Sequence, residues 1–169
     1  MHHVEHMIEV DRPVSTVYNQ WTQFQDFPAF MSGVEDAQQL DDNHVQWKAN
    51  VWGLEKEWEA EITEQEPDRR ISWKSVSGAH NAGTVRFKPV GKDRTEVRLV
   101  MAVDPETTAE RLGAAMGVLS VRVKESLRDF KKFIERQDAP TGAWRGEVVD
   151  SVPHRRPFVH PAKGWPMSG

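Results

Sequence analysis

Four side chains in this chain are suited to moving protons, and they are scattered along it: His6, Tyr18, Ser75 and His80. An imidazole takes and returns a proton near neutral pH, while a hydroxyl serves as a donor, or as a nucleophile once a base stands beside it. His80 lies in the loop Ser77-Gly78-Ala79-His80-Asn81-Ala82-Gly83. A solvated loop histidine is the plain reading there, and a base at a cavity rim is the sharp one. Lys56, near the start of a strand-like segment, is a further candidate. A nucleophile elbow, a P-loop and a dinucleotide fingerprint are all absent, and no cofactor is expected.

Two patterns invite a metal. Glu55, Glu57, Glu59 and Glu61 set four carboxylates on one strand face, and His2 and His6 stand four apart. The carboxylates share their outward parity with Lys48 and Lys74 on flanking strands, so cross-strand ion pairs on a solvated face are the expected arrangement. His2 and His6 lack a third ligand and read as surface or mouth residues, so no metal site is expected. Cysteine does not occur in the sequence. That excludes disulfides, zinc–thiolate and iron–sulfur sites and thiol nucleophiles, and it fits a reducing compartment.

The elements that must carry these residues are legible from periodicity. Val4, His6, Ile8 and Val10 alternate with polar neighbours as in a strand. Pro13 suits a first helical turn, and Val14, Val17, Tyr18, Trp21 and Phe24 fall on one helical face before Gln25-Asp26-Phe27-Pro28 breaks it. From Val34 to Val103 the period is two, punctuated by Asp41-Asp42-Asn43, Gly53, Pro67-Asp68, Ser77-Gly78 and Gly91-Lys92-Asp93. The apolar parity points Val45, Trp47, Ala49 and Val51, then Trp58, Ala60 and Ile62, then Ile71, Trp73 and Ser75 to one face. Val85, Phe87, Val97, Leu99, Met101 and Val103 complete it. Arg86 and Arg98 fall on the opposite parity unless a bulge turns them.

A long helix from Thr107 to about Gln137 follows, with a Thr107/Glu110 capping pair and the stripe Leu112, Met116, Leu119, Val123, Leu127, Phe130 and Ile134. One helix laid across a curved antiparallel sheet predicts an interior with two unlike walls, and hence a pocket.

The chain has 169 residues, 38% of them apolar, with seven Trp and seven Phe, which is enough for one domain with a substantial core. Residues 1–138 are expected to form it. Residues 139–169 hold five prolines and four glycines without periodicity and read as a loosely packed tail. Trp144, Phe158 and Trp165 leave docking onto the body or a partner open. The tail carries a net +2 and the body −6, with 18 basic against 24 acidic side chains. An acidic body argues against nucleic acid as partner. The longest apolar stretch, Leu112–Val121, is too short for a bilayer span, and Met1-His2-His3-Val4-Glu5 shows no signal-peptide pattern, so a cytoplasmic location is expected.

Strand, two short helices, six strands and a closing helix resemble the helix-grip fold of the START-like (SRPBCC) superfamily. That group includes polyketide cyclases/dehydrases, coenzyme Q-binding proteins and plant pathogenesis-related pollen allergens. The segment Val10-Asp11-Arg12-Pro13-Val14-Ser15-Thr16-Val17-Tyr18-Asn19-Gln20-Trp21, then Phe27-Pro28-Ala29-Phe30-Met31, is similar to the opening of the bacterial cyclase/dehydrase branch. So is the order of Trp58, Ile71-Ser72-Trp73 and Gly83 to Phe87, and the likeness spans about residues 3–137.

The resemblance implies an α+β fold with seven strands and a cavity for an apolar or aromatic molecule between sheet and helix. Trp47, Trp58, Trp73, Ser75, Phe87, Leu99, Met101, Gly113, Met116 and Gly117 are the residues expected to meet that molecule. Core filling remains open for the tryptophans, as does close packing for Gly113 and Gly117. Three functions follow from the likeness: a carrier or sensor of a lipid, quinone or polyketide; a cyclase/dehydrase using His6, His80, Ser75 or Tyr18; and an interaction module. In the last case Trp144-Arg145-Gly146 and Arg155-Arg156-Pro157-Phe158 would be the contact. The oligomeric state is not legible.

Overall fold

The computed structural model describes residues 2–31, 33–51, 54–78, 81–103 and 109–155, with the backbone alone at 2, 51, 54, 103 and 109–115. Strand β1 (His2–Val10) is followed by α1 (Val14–Trp21) and a short 3-10 helix over Phe24–Ala29. Strands β2 (Val34–Asp41), β3 (His44–Val51), β4 (Leu54–Glu66), β5 (Arg70–Gly78), β6 (Asn81–Gly91) and β7 (Arg94–Val103) form an antiparallel meander. The long helix α2 (Ala109–Glu135) and a hairpin of β8 (Glu147–Val149) and β9 (Val152–His154) complete it. The sheet runs β1-β7-β6-β5-β4-β3-β2, and the arrangement is the α+β helix-grip fold.

The expected strand count of seven is corrected to nine among the described residues, because β8 pairs with β4 through Gln65 and Val148 and with β9 beyond it. Three residues per strand are too few for alternation to register in a sequence. The Thr107 cap of α2 lies outside the described residues.

The inward parity fills the core: Val45, Ala49, Ala60, Ile62, Ile71, Val85, Phe87, Val97 and Leu99 are all buried. Trp47, Trp73 and Met101 are half-buried against them. On the outer face Lys48 pairs with Glu55 at 3.8 Å, His44 with Glu61 at 3.5 Å, and Arg98 with Glu5 at 2.9 Å. Strand β4 departs from simple alternation, with register shifts against β5 between Glu59 and Ala60 and between Ile62 and Glu64. A bulge adds one residue and reverses the face of all that follow. Gln65 therefore points inward, buried, and donates Nε2–H to Tyr18 Oη at 2.9 Å.

Helix α2 buries Val123, Leu127, Phe130 and Ile134, and its C-terminal end is fastened to the end of β1. Arg12 donates to the carbonyl oxygens of Glu135 and Gln137, supplying a cation and donors where the last helical carbonyls lack partners. Lys131 Nζ donates to Glu9 O at 2.9 Å from the same end.

Residues 141–155, which read from sequence as a loose tail, are docked on the body. Thr141 exchanges hydrogen bonds with Gln20, with its N–H donating to Oε1 at 3.0 Å and Nε2 of Gln20 donating back to Oγ1 at 3.1 Å. Arg145 grips Asp68 through both guanidinium nitrogens at 2.9 and 3.0 Å, donates to Asn19 Oδ1 at 2.7 Å, and lies 5.5 Å over the Tyr18 ring. Val148 is fully buried. A few well-placed anchors hold a segment whose composition gives no periodicity.

This strap, residues 141–155, is expected to contribute measurably to stability. Val148→Ala lowers the unfolding free energy by about 1–3 kcal/mol, whereas Val149→Ala, at an exposed neighbour, stays within about 0.5 kcal/mol. Urea denaturation of the two variants checks this, and equal small effects would show that the strap adds little.

Candidate ligand cleft

Between the concave face of the sheet and the helices runs a narrow apolar cleft with about 640 Å³ of atom-free space, its open mouth included. Its depth is visible in the exposure of its walls. Trp21, Val45, Ile62, Ile71, Val85 and Leu99 are buried at its floor, while Met31, Val34, Trp58, Asn81 and Met101 are half-exposed toward its mouth. Trp47 and Trp58 face each other across β3 and β4 with ring centroids 6.3 Å apart and planes 14° from parallel. Asn81 is the one polar residue among the described lining.

The cleft thus joins Trp47, Trp58, Trp73, Leu99 and Met101 from the expected set. Phe87 lies in the core instead, edge-on to Tyr18 with centroids 5.4 Å apart. Met116 packs half-buried against the core, and Gly117 is exposed with open space where a side chain would project. Ser75 lies beside the mouth, its Oγ accepting the N–H of Asn81 at 3.1 Å. The surroundings of Gly113 and the whole of His80 lie outside the described residues.

Of the remaining proton-handling candidates, Lys56 is exposed and outside the described lining, and His6 and Tyr18 are spent on structure. His6 Nε2 is 2.8 Å from Ser120 Oγ and ties β1 to α2; it pairs in register with the cleft residue Leu99 without being among the described lining. Tyr18 is buried, its phenol accepting from Gln65. Burial pushes its pKa far above the ordinary phenol value, with the Gln65 hydrogen bond and the Arg145 charge opposing only in part. Such a phenol holds its proton and is a poor acid.

Sequence reasoning missed the wall made by α1 and the segment after it. Trp21, Phe24, Phe27 and Met31 all line the cleft, although their helical spacing marks only a buried face. It also missed what Gly83 does. Gly83 sits directly across from Trp73, and a Cβ there would overlap the indole at Cζ2 and lie 2.8 Å from Cε2. The missing side chain lets the Trp73 ring lie flat over its neighbour strand, a packing that a pair of facing Gly and Trp positions signals only once the register is known.

A sheet packed against a long helix beside an apolar cleft is the helix-grip arrangement of the START-like fold. The chain belongs to the polyketide cyclase/dehydrase and lipid transport family, which residues 10–132 match. It is 47% identical over 150 residues to an uncharacterised 17.2 kDa protein of Streptomyces lincolnensis, covering 88% of this chain and all of that one. Its fold is similar to that of a START superfamily protein from Mycobacterium smegmatis, with TM-score 0.68 and 13% identity over 80% of this chain and 99% of the other. It is also similar to that of a Streptomyces aromatase/cyclase, with TM-score 0.65 and 18% identity over 80% and 94%.

Tyr18 is the single tyrosine of the sequence, so its ionisation can be read alone. Its folded pKa is raised above the unfolded value of about 10, so the folded state keeps a proton that the unfolded state releases. The stability it supports is complete below about pH 10 and falls as pH rises beyond that. Absorbance at the tyrosinate band should stay flat through the ordinary phenol range and rise only with unfolding. A normal titration in the folded protein would overturn the buried assignment.

Proposed function

We propose that the cleft holds an apolar or aromatic small molecule of the lipid, quinone or polyketide kind, and that the protein is its carrier or sensor. The observation that carries this reading is the lining: fifteen of the sixteen described residues are apolar or aromatic. Ligand sites typically have mostly apolar walls and few polar groups. A molecule entering such a cleft gains about 25 cal/mol for each Å² of apolar surface it buries. The flat indoles of Trp47, Trp58 and Trp73 favour a planar or chain-like shape between them.

Catalysis by a cyclase or dehydrase is the second reading, favoured by the family description and by the likeness to an aromatase/cyclase fold. It requires a group that moves protons, or donors that hold an enolate oxygen, beside the substrate. Among the described lining residues, Asn81 and the indole N–H groups are the polar ones, with Ser75 adjacent. These suit orienting a carbonyl oxygen better than removing a proton. Incubation with a reactive poly-ketone separates the readings: a product spectrum altered from the spontaneous one supports the enzyme, and an unaltered one supports the carrier.

Trp73→Ala should lower affinity about tenfold or more for a ligand found by mass spectrometry of a solvent extract of the natively purified protein. Quenching of the remaining tryptophans by that ligand provides the titration. Unchanged affinity in a variant with native circular dichroism would remove the cleft from consideration.

A further inference from the structure

Of the five half-buried arginines whose side chains are described, four are paired. Arg12 donates to Glu135 O and Gln137 O, Arg70 pairs with Glu66, Arg98 with Glu5 and Arg145 with Asp68. Arg122, on α2, is the fifth, and it makes no hydrogen bond or ion pair among the described residues. A guanidinium carries five donors and stays charged at any ordinary pH, so holding it half out of water without an acceptor is unfavourable unless something else supplies one.

Its position is built. Gly33, in the turn before β2, has φ +88, and a Cβ on it would collide with Arg122 Nη1 and come within 3.1 Å of Asn50 O. The absent side chain leaves the space that the guanidinium fills. Gly33 precedes Val34 and lies two residues after Met31, and both of these half-buried residues line the cleft. The unpaired charge therefore packs against the turn that leads into Val34, a wall residue of a cleft whose floor is apolar.

On these grounds we infer that Arg122 recognises an anionic head group, and that the cleft ligand is an amphiphile with an apolar or aromatic body and a carboxylate or phosphate at its outer end. The inference rests on the cleft being the binding site. The body lies toward Ile62, Ile71 and Val85, and the head group meets the Arg122 fork at the mouth, where a planar guanidinium can donate two parallel hydrogen bonds to either acid. The charge also selects against neutral molecules of the same shape, since binding those leaves the guanidinium desolvated and unpaired.

Three probes of equal chain length test this: dodecanoate, dodecyl phosphate and dodecanol, titrated by tryptophan quenching at low and high salt. The wild type should bind one or both acids about tenfold more tightly than the alcohol, with the preference shrinking at high salt. Arg122→Gln should erase the preference, weakening the acids and, with the unpaired charge gone, tightening the alcohol, and Arg122→Lys should retain part of it. The two acids differ only at the head group, so their ranking tells carboxylate from phosphate. Equal binding of all three by the wild type, or an acid preference that survives Arg122→Gln, overturns the inference while leaving the cleft reading intact. Binding that Trp73→Ala does not weaken for any probe, or no binding at all, overturns the cleft reading and this inference with it.

Discussion

Trp21 is the point at which sheet, α1 and α2 meet, and the rest of the interior depends on how its ring is packed. Its centroid lies 5.2 Å from Phe27, 6.2 Å from Phe30, 6.1 Å from Phe87 and 5.3 Å from Phe130, so four elements converge on one indole. Phe30 in turn packs against Phe130 and Phe133 of α2 at 5.1 and 5.3 Å. Edge-to-face rings of this size add to their burial and fix orientation as well as distance. A straight helix and a curved sheet match along only part of their length. The ring cluster joins them, and Trp21 and Phe27, which belong to it, also form part of the cleft wall.

The strap after α2 works on the same region from outside. Thr141, Trp144 and Arg145 bond to Gln20, Thr22, Asn19 and Asp68, which hold α1 and the turn between β4 and β5. Arg145 also lies over the Tyr18 ring whose hydroxyl accepts from the buried Gln65. Buried polar groups are favourable only when paired, and here the pairing runs through strand β4, helix α1 and the strap together. Because α1 and the following turn form one wall of the cleft, the strap fixes that wall without touching the ligand space.

Charge is distributed in keeping with this division. Floor and walls are apolar, Asn81 is the polar residue among the described lining with Ser75 bonded to it, and Arg122 packs against the turn that leads into Val34. Such an arrangement suits holding and orienting a molecule that is apolar at one end. Folds of this kind host binding and catalysis alike, so the family alone does not separate the two, and the side chains at the mouth carry the distinction.

The order and faces of the long elements were legible in the residue pattern alone. Alternation over β3 to β7 and the stripe on α2 reveal which side of each element is buried, because burial imposes the period of the element directly on the residue types. Trp47, Trp58 and Trp73 could be put on the inner face for that reason. Only the tertiary structure decided which buried side chains border empty space and which fill it. Phe87 and Leu99 have the same parity, yet one joins the ring cluster and the other lines the cleft. Likewise the bulge that turns Gln65 inward, the fit of Gly83 under Trp73, the docking of Arg145 and Val148, and the unpaired position of Arg122 leave no periodic trace. Each is set by distances between elements remote in the chain. A period of two or 3.6 records only the face a residue occupies, not what lies across from it.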